Sequence, residues 1–338
     1  MKKILVVSVN WLGDVIFSSP IFKALKDAYP GSHIGCLAPP RVKEILESIP
    51  SVDEIIIYDE KKKHFTPWAK LSLILELRKK KFDIVFLLHR SWTRAGMVFL
   101  AGIPQRVGYD TKDRGMFLTH KVQELEGQVH RSDYYLNVIE SYGIRVKERT
   151  TSLNVSGVTQ EEIKGLLKKY GVQDNHEVIV VNPGGNWNLK RWPKENFTQL
   201  IQYLISEKKA KVVVSGAKED EGLIQEITSV LHEKPIVLTG QISLKQLIAL
   251  MKRAQVVISA DSGPLHLANS VGARVIGIFG PTRPEITGPR GNGKAHILQH
   301  DVGCNREACY FLECPDNVCM QAVTVDNVIE IIRKIRNS

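Results

Sequence analysis

Cysteine is nearly absent from most of this chain. Of its five cysteines, Cys36 stands alone and the other four fall between positions 304 and 319. That pattern argues against disulfides as the framework of the fold and fits a reducing compartment. Long apolar runs are missing too. Met1-Lys2-Lys3 and the apolar residues after it imitate a signal peptide, but the run is short, Asn10 and Asp14 interrupt it, and no small-residue cleavage site follows. No uncharged stretch is long enough to span a bilayer. The Gly-x-Gly-x-x-Gly fingerprint follows none of the strands, which argues against an ordinary nicotinamide dehydrogenase. No DNA- or RNA-binding signature and no basic stretch interleaved with aromatics is present. One near match to a phosphate-binding P-loop, Gly288-Pro289-Arg290-Gly291-Asn292-Gly293-Lys294, fails. Ala295 stands where Ser or Thr would bind magnesium, and the residues after it read as a strand.

What is present is ordinary globular usage, 43% hydrophobic and 24% charged, over 338 residues. That length suggests two domains. The formal net charge is +10. Residues 1–150 hold 24 Lys and Arg against 17 Asp and Glu, and residues 151–338 hold 22 against 19. The basic excess therefore lies in the first half. It suits an anionic partner such as a phosphorylated acceptor or an acidic membrane surface. The plain alternative is a solvated basic surface.

Strands alternate with helices along the chain. Strands are expected at 3–9, 33–38, 54–58 and 83–88, with helices near 20–29, 41–48, 68–80, 91–101 and 133–142. The segment 102–128 reads as a polar, Gly- and Arg-rich loop. After a less regular stretch a second series begins. Its strands are expected at 178–181, 211–215, 236–238, 256–258, 274–279 and 295–299, and a final helix, capped by Thr324, at 325–335. Repeated β-α units imply parallel sheets with right-handed crossovers. Two such series imply an α/β chain of two doubly wound, Rossmann-like domains, with ligands at the carboxyl ends of the strands and in the cleft between the domains.

Three places carry chemistry. Gly13-Asp14 is expected in the loop after the first strand, where a carboxylate can take a proton from an incoming hydroxyl; the alternative is a loop cap. Asn182-Pro183-Gly184-Gly185-Asn186-Trp187 follows a strand of the second series. Its glycines let backbone approach a ligand, and Lys190 and Arg191 can neutralise phosphate oxygens, unless they are merely exposed bases on a turn. Third, Val256-Val257-Ile258 runs into Ser259-Ala260-Asp261-Ser262-Gly263-Pro264-Leu265-His266. Pro264 suits the first helical position and Asp261 or Ser262 can cap the helix. Such an open helix start binds anions, and a diphosphate is the natural guest. His266 either bonds that phosphate or packs on the helix. Thr282, in Phe279-Gly280-Pro281-Thr282, either touches phosphate or turns the chain.

Taken together, Gly13-Asp14-Val15 with Ser19-Pro20, Asn182-Pro183-Gly184, the 261–268 motif and Phe279-Gly280-Pro281-Thr282 resemble the glycosyltransferase family 9 heptosyltransferases. Residues 101–109, Ala-Gly-Ile-Pro-Gln-Arg-Val-Gly-Tyr, are similar to the heptosyltransferase II branch, and Cys319-Met320 before Thr324-Val325-Asp326 also resembles family members. The likeness covers nearly the whole chain. It implies a GT-B fold with an acceptor domain at 1–155, a nucleotide-sugar domain at 156–322, and a last helix, 323–338, packing back on the first domain. It implies metal-independent, inverting transfer of L-glycero-D-manno-heptose from ADP-heptose to the heptose-bearing inner core of lipopolysaccharide, at the cytoplasmic face of an anionic inner membrane. Asp14 would be the general base. Gly184, Lys190, Arg191, Glu219, Asp261, Ser262, Gly263, Pro264, His266 and Thr282 would meet the donor, and Asn10, Gly13, Arg90 and Arg106 the acceptor. Related readings are a family 9 transferase for another sugar or glycolipid, and a non-catalytic nucleotide-sugar binder.

The departure is Cys304, Cys309, Cys314 and Cys319, spaced C-x4-C-x4-C-x4-C. Four thiolates can enclose a structural zinc or hold an iron–sulfur cluster, although zinc knuckles use tighter pairs. Free thiols and disulfides are the alternatives.

Overall fold

A computed structural model describes residues 1–207, 210–304, 309 and 314–337. The chain divides into two units, Met1–Asn154 and Val155–Ser338. The first is built on β1 (Lys3–Val7), β2 (His33–Ala38), β3 (Glu54–Ile57), β4 (Ile84–Leu87), β5 (Gln105–Tyr109) and β6 (His120–Val122). All pairs are parallel and the order is β3-β2-β1-β4-β5-β6. Four of the five β1 residues, Ile4, Leu5, Val6 and Val7, are fully buried. Such a continuous apolar run, rather than an alternation, is what a parallel strand covered on both faces needs.

The second unit holds β7 (Val178–Asn182), β8 (Lys211–Val214), β9 (Ile236–Val237), β10 (Val256–Ala260), β11 (Arg274–Ile278) and β12 (Ala295–Leu298). It too is parallel, ordered β12-β11-β10-β7-β8-β9. Counted from its own first strand, each sheet runs 3-2-1-4-5-6. The winding therefore reverses between β1 and β4 in one unit and between β7 and β10 in the other. In open α/β sheets ligands bind beyond the strand ends at that reversal. The loops of interest follow β1, β4, β7 and β10.

Two local expectations change. Residues 102–128 are not one loop: they contain β5, a 3-10 turn at Arg114–Phe117, and β6. Only Val107, Gly108 and Tyr109 of β5 are buried, too few apolar residues to stand out from the polar sequence around them. Asp14 is not in a loop either. The helix Leu12–Ser18 begins behind Trp11, which makes no side-chain cap, so the usual start signal is missing. Asp14 lies in that helix's first turn, where the dipole favours a negative charge.

The closing helix Val325–Arg336 starts with a capping box between Thr324 and Asn327. Its buried residues Val328, Ile329, Ile332 and Ile335 join Trp192, Phe197 and Leu200 in the second unit's core. Trp192 Nε1 donates to the Val323 carbonyl at 2.7 Å and fastens the segment there. These four residues of the closing helix therefore belong to the second unit's core. Among the described residues no helix is long and apolar enough to cross a membrane. The segment 288–294 packs on the helix Gly263–Ser270 through Asn269, whose Nδ2 donates to the Gly293 carbonyl at 2.6 Å, and it leads into β12. It is not a P-loop.

Candidate functional site

In the first unit a pocket of about 430 Å³ opens beyond β1 and β4, lined by Asn10, Asp14, His89, Arg90, Arg131 and Tyr135 among others. Arg131 and Tyr135 are four residues apart on the helix Arg131–Glu140, so they share a face. The Arg131 guanidinium donates to the Tyr135 hydroxyl at 2.7 Å, and that hydroxyl donates to Asp14 Oδ1 at 2.8 Å. Arg131 is itself 3.5 Å from the same oxygen. Among the described residues both contacts of Asp14 fall on Oδ1. Burial, reinforced by Asp14, pushes the Tyr135 phenol well above its usual range, so it stays a proton donor. Burial opposes the Arg131 charge, but Tyr135 and Asp14 outweigh it and raise its pKa. Asp14 therefore stands beside a fixed cation and a fixed donor.

The back of this pocket rests on two buried arginines. Arg94 donates to the Ser8 carbonyl at 3.0 Å and to Asn10 Oδ1 at 2.8 Å, and lies over the Tyr58 ring. Arg114 donates to the carbonyls of Tyr109 and His89 at 2.8 and 2.5 Å. His89 sits between them, its Nδ1 accepting from the Ser91 N–H at 3.1 Å. Burial and the nearby arginines lower its pKa to about 4, so it is a neutral imidazole at physiological pH. None of these three was singled out from the sequence. Arg94 had a signal there: it interrupts the apolar pattern of the helix Trp92–Leu100, on the side that is buried.

Of the expected acceptor residues, Asn10 and Arg90 line this pocket. Asn10 also contacts His89 at 2.9 Å, and Arg90 reaches across to Glu124 at 2.7 Å. Gly13 lies in the first helical turn beside Asp14. Arg106, also expected to meet the acceptor, has backbone partners. Its guanidinium donates to the carbonyls of Phe117, Ile103 and Pro104 at 2.5, 2.5 and 3.3 Å, so it fastens the chain between β5 and β6. Arg106→Ala is expected to lower stability by about 1–3 kcal/mol through those unpaired carbonyls. It should leave the acceptor KM unchanged, which thermal unfolding alongside kinetics would check.

In the second unit the residues beyond β7 and β10 converge on Asp261, which is 5% exposed. Lys190 Nζ lies 2.6 Å from its Oδ2, and the hydroxyls of Thr282 and Thr287 donate to the same oxygen at 2.7 and 3.1 Å. His266 Nε2 is 3.3 Å from Oδ1. Burial works against this charge, yet His266 and Lys190 hold the carboxyl well below the usual carboxylate range. Asp261 is thus a hub tying together the loop after β7, the loop after β11 and the helix Gly263–Ser270. It does not cap that helix. Ser262 is the N-cap but makes no side-chain cap bond, its hydroxyl lying 3.0 Å from that of Ser259. Gly263, not Pro264, takes the first helical position. Thr282 is buried and donates its hydroxyl to Asp261.

Arg191 is tied to its own loop. It donates twice to the Gly185 carbonyl, at 3.1 and 2.8 Å, and meets Asp220 at 3.3 Å. It shapes the loop at 184–187, under which Asp220 lies. A Cβ at Gly184 would come within 2.1 Å of Asp220 Oδ2. Asp220 has little room to retreat, because it also accepts from the Ala217 N–H. Gly184→Ala is therefore expected to destabilise the second unit by about 1–3 kcal/mol and to weaken ADP binding, seen by calorimetric titration. Glu219 is exposed on the turn Lys218–Asp220. Lys190 keeps its ammonium 5.3 Å from the Trp187 ring centre and is only partly buried.

The four late cysteines line one pocket of about 930 Å³ with Arg283 and His300. They are free thiols, and Cys319 is close enough to Cys314 and Cys309 to feel their charge. Among the described residues no three His, Cys, Asp or Glu side chains are grouped to hold a metal ion.

Known proteins agree with this arrangement. The family model described as glycosyltransferase family 9 (heptosyltransferase) matches residues 70–311. Lipopolysaccharide heptosyltransferase 2 of Escherichia coli strain K12 is 25% identical over 314 residues, 90% of each chain. A glycosyltransferase family 9 structure from Veillonella parvula DSM 2008 superposes with a TM-score of 0.85 at 25% identity, covering 99% of this chain and 97% of that one. The structure of Escherichia coli ADP-heptose lps heptosyltransferase II gives a TM-score of 0.82 at 22% identity, covering 99% and 98%. The fold is that of the GT-B glycosyltransferases, as the two like-ordered parallel sheets require. With a family match over most of its length and two parallel sheets of one strand order, the chain belongs to glycosyltransferase family 9.

Proposed function

We propose that this chain transfers L-glycero-D-manno-heptose from ADP-heptose to the heptose-bearing inner core of lipopolysaccharide, with inversion and without a metal. The observation that carries the reading is the Asp14 carboxylate, held by Tyr135 and Arg131 in a pocket rimmed by cations. Such a carboxylate can take the proton of an acceptor hydroxyl. The freed oxygen then attacks the anomeric carbon from the face opposite the diphosphate, and the bond to the diphosphate breaks as the new glycosidic bond forms. Charge grows on the departing ADP. Lys190 and the open start of the helix Gly263–Ser270 are suited to receive it. Arg90 and Arg131 suit a phosphorylated acceptor. The names of the relatives point to the same donor and to lipopolysaccharide. An acceptor anchored in lipid would bring the protein to the cytoplasmic face of the inner membrane as a peripheral enzyme.

Turnover with ADP-heptose and a heptose-bearing inner-core acceptor, in the presence of chelator, tests all of this at once. Transfer with inverted anomeric configuration supports the reading. Saturable ADP binding without transfer moves it to another sugar or glycolipid. A protein that binds ADP-heptose and transfers nothing to any acceptor is a binding protein. A structural zinc at Cys304, Cys309, Cys314 and Cys319 is a separate proposal, supported only by the pocket they share. Metal analysis of protein purified without chelator decides it, and a background level ends it.

A further inference from the structure

The helix Pro67–Lys80 is apolar on two faces. Leu73, Ile74 and Leu77 are buried in the first unit's core. On the other side Trp68, Leu71 and Leu75 are 80%, 44% and 44% exposed, and Phe65, just ahead of the helix, is 70% exposed. Positions 68, 71 and 75 lie along one side of a helix. One apolar side is already in the core, so the exposed apolar side has no role in packing this unit, and exposed apolar patches mark interaction surfaces. The segment that carries the outer face is basic. Between positions 59 and 81 eight Lys and Arg stand against three Asp and Glu, and Lys61, Lys62 and Lys63 are exposed beside Phe65.

We propose that this face docks on an anionic lipid bilayer, an inference that rests on the reading of a lipid-anchored acceptor. Trp and Phe settle at the boundary between headgroups and acyl chains. Each lysine held at an anionic surface adds about fivefold in affinity. A second copy of the chain fits the face poorly. It would bring the same basic segment against this one, and four side chains offer far less than the ~1,200 Å² a stable protein interface needs.

The test is co-sedimentation of the full chain with vesicles of phosphatidylglycerol and phosphatidylcholine, against phosphatidylcholine alone. The wild type should bind the anionic vesicles. The triple change Phe65→Ser, Trp68→Ser, Leu71→Ser should weaken that binding at least about tenfold, and Lys61→Gln, Lys62→Gln, Lys63→Gln by up to about a hundredfold. Both variants should keep the wild-type melting temperature and the wild-type kcat/KM on a deacylated, water-soluble core acceptor. Vesicle binding is scored without any turnover, so failure of the docking face is told apart from failure of the transferase reading. Wild-type protein that ignores anionic vesicles, or a serine variant that binds them unchanged, overturns the proposal. So does a dimer that the serine variant breaks while vesicle binding persists.

Discussion

Asp14→Asn is expected to lower kcat by about 10²–10⁴-fold while the protein keeps its melting temperature and its affinity for ADP. The amide has nearly the shape of the carboxylate and can still accept the Tyr135 hydroxyl, so the helix Leu12–Ser18 keeps its place. What it loses is the capacity to hold a proton in the transition state. The Tyr135–Arg131 pair makes the result specific. Asp14 is reached from the pocket, 22% of its side chain being exposed, and the guanidinium 3.5 Å from it is itself anchored on the Tyr135 hydroxyl. Tyr135→Phe removes the orienting hydroxyl but leaves the carboxylate, so its loss in kcat should be smaller. Full activity in Asp14→Asn would leave the enzyme without the proposed base, and another group would have to be sought.

Asp261→Asn is expected to cost about 3–5 kcal/mol of stability, the usual penalty for removing one member of a buried ion pair. Lys190 and His266 would then face an amide, and Oδ2 would no longer gather Lys190, Thr282 and Thr287. The pH dependence has a definite sign. The folded carboxyl titrates below its ordinary value, so its contribution is present above the unfolded carboxylate value of about 3.9. It fades as pH falls through the lowered folded value. Urea unfolding at pH 7 should show the full gap between wild type and variant, and the gap should narrow in strong acid. A gap that stays constant down to pH 3 and below would mean that Asp261 is not held as an anion.

Much of this was legible in the sequence, because strand, turn and helix signals are local. Val256-Val257-Ile258 ahead of Asp261 and Pro264 reads correctly as strand into helix, and Asp14 can be marked as a candidate base without any structure. The roles inside the sites were less legible, since they depend on partners far away in the chain. Thr282 is 21 residues from Asp261, and Tyr135 is 121 residues from Asp14. No spacing rule predicts that a threonine will hold a carboxylate rather than a phosphate. The partners of Arg106 and Arg191 were hidden in the same way: nothing in the spacing announces that either guanidinium donates to backbone carbonyls. β5 and β6 escaped because β6, at the sheet edge, is three residues long and β5 beside it buries only its last three.

The anchoring of Trp192 to Val323, across 131 residues, has a consequence for the order in which the chain is made. Domains tend to fold as they leave the ribosome, the first before the next. The first unit has all six of its strands by residue 122 and can close while the rest is still being translated. The second cannot. Its central strand β10 arrives at residue 256, and Trp192, Phe197 and Leu200 gain their last apolar cover only when the residues up to Ile335 have emerged. A nascent chain stalled before position 325 would carry a folded first half and a second half with an open hydrophobic face, the form most open to chaperone capture and to aggregation.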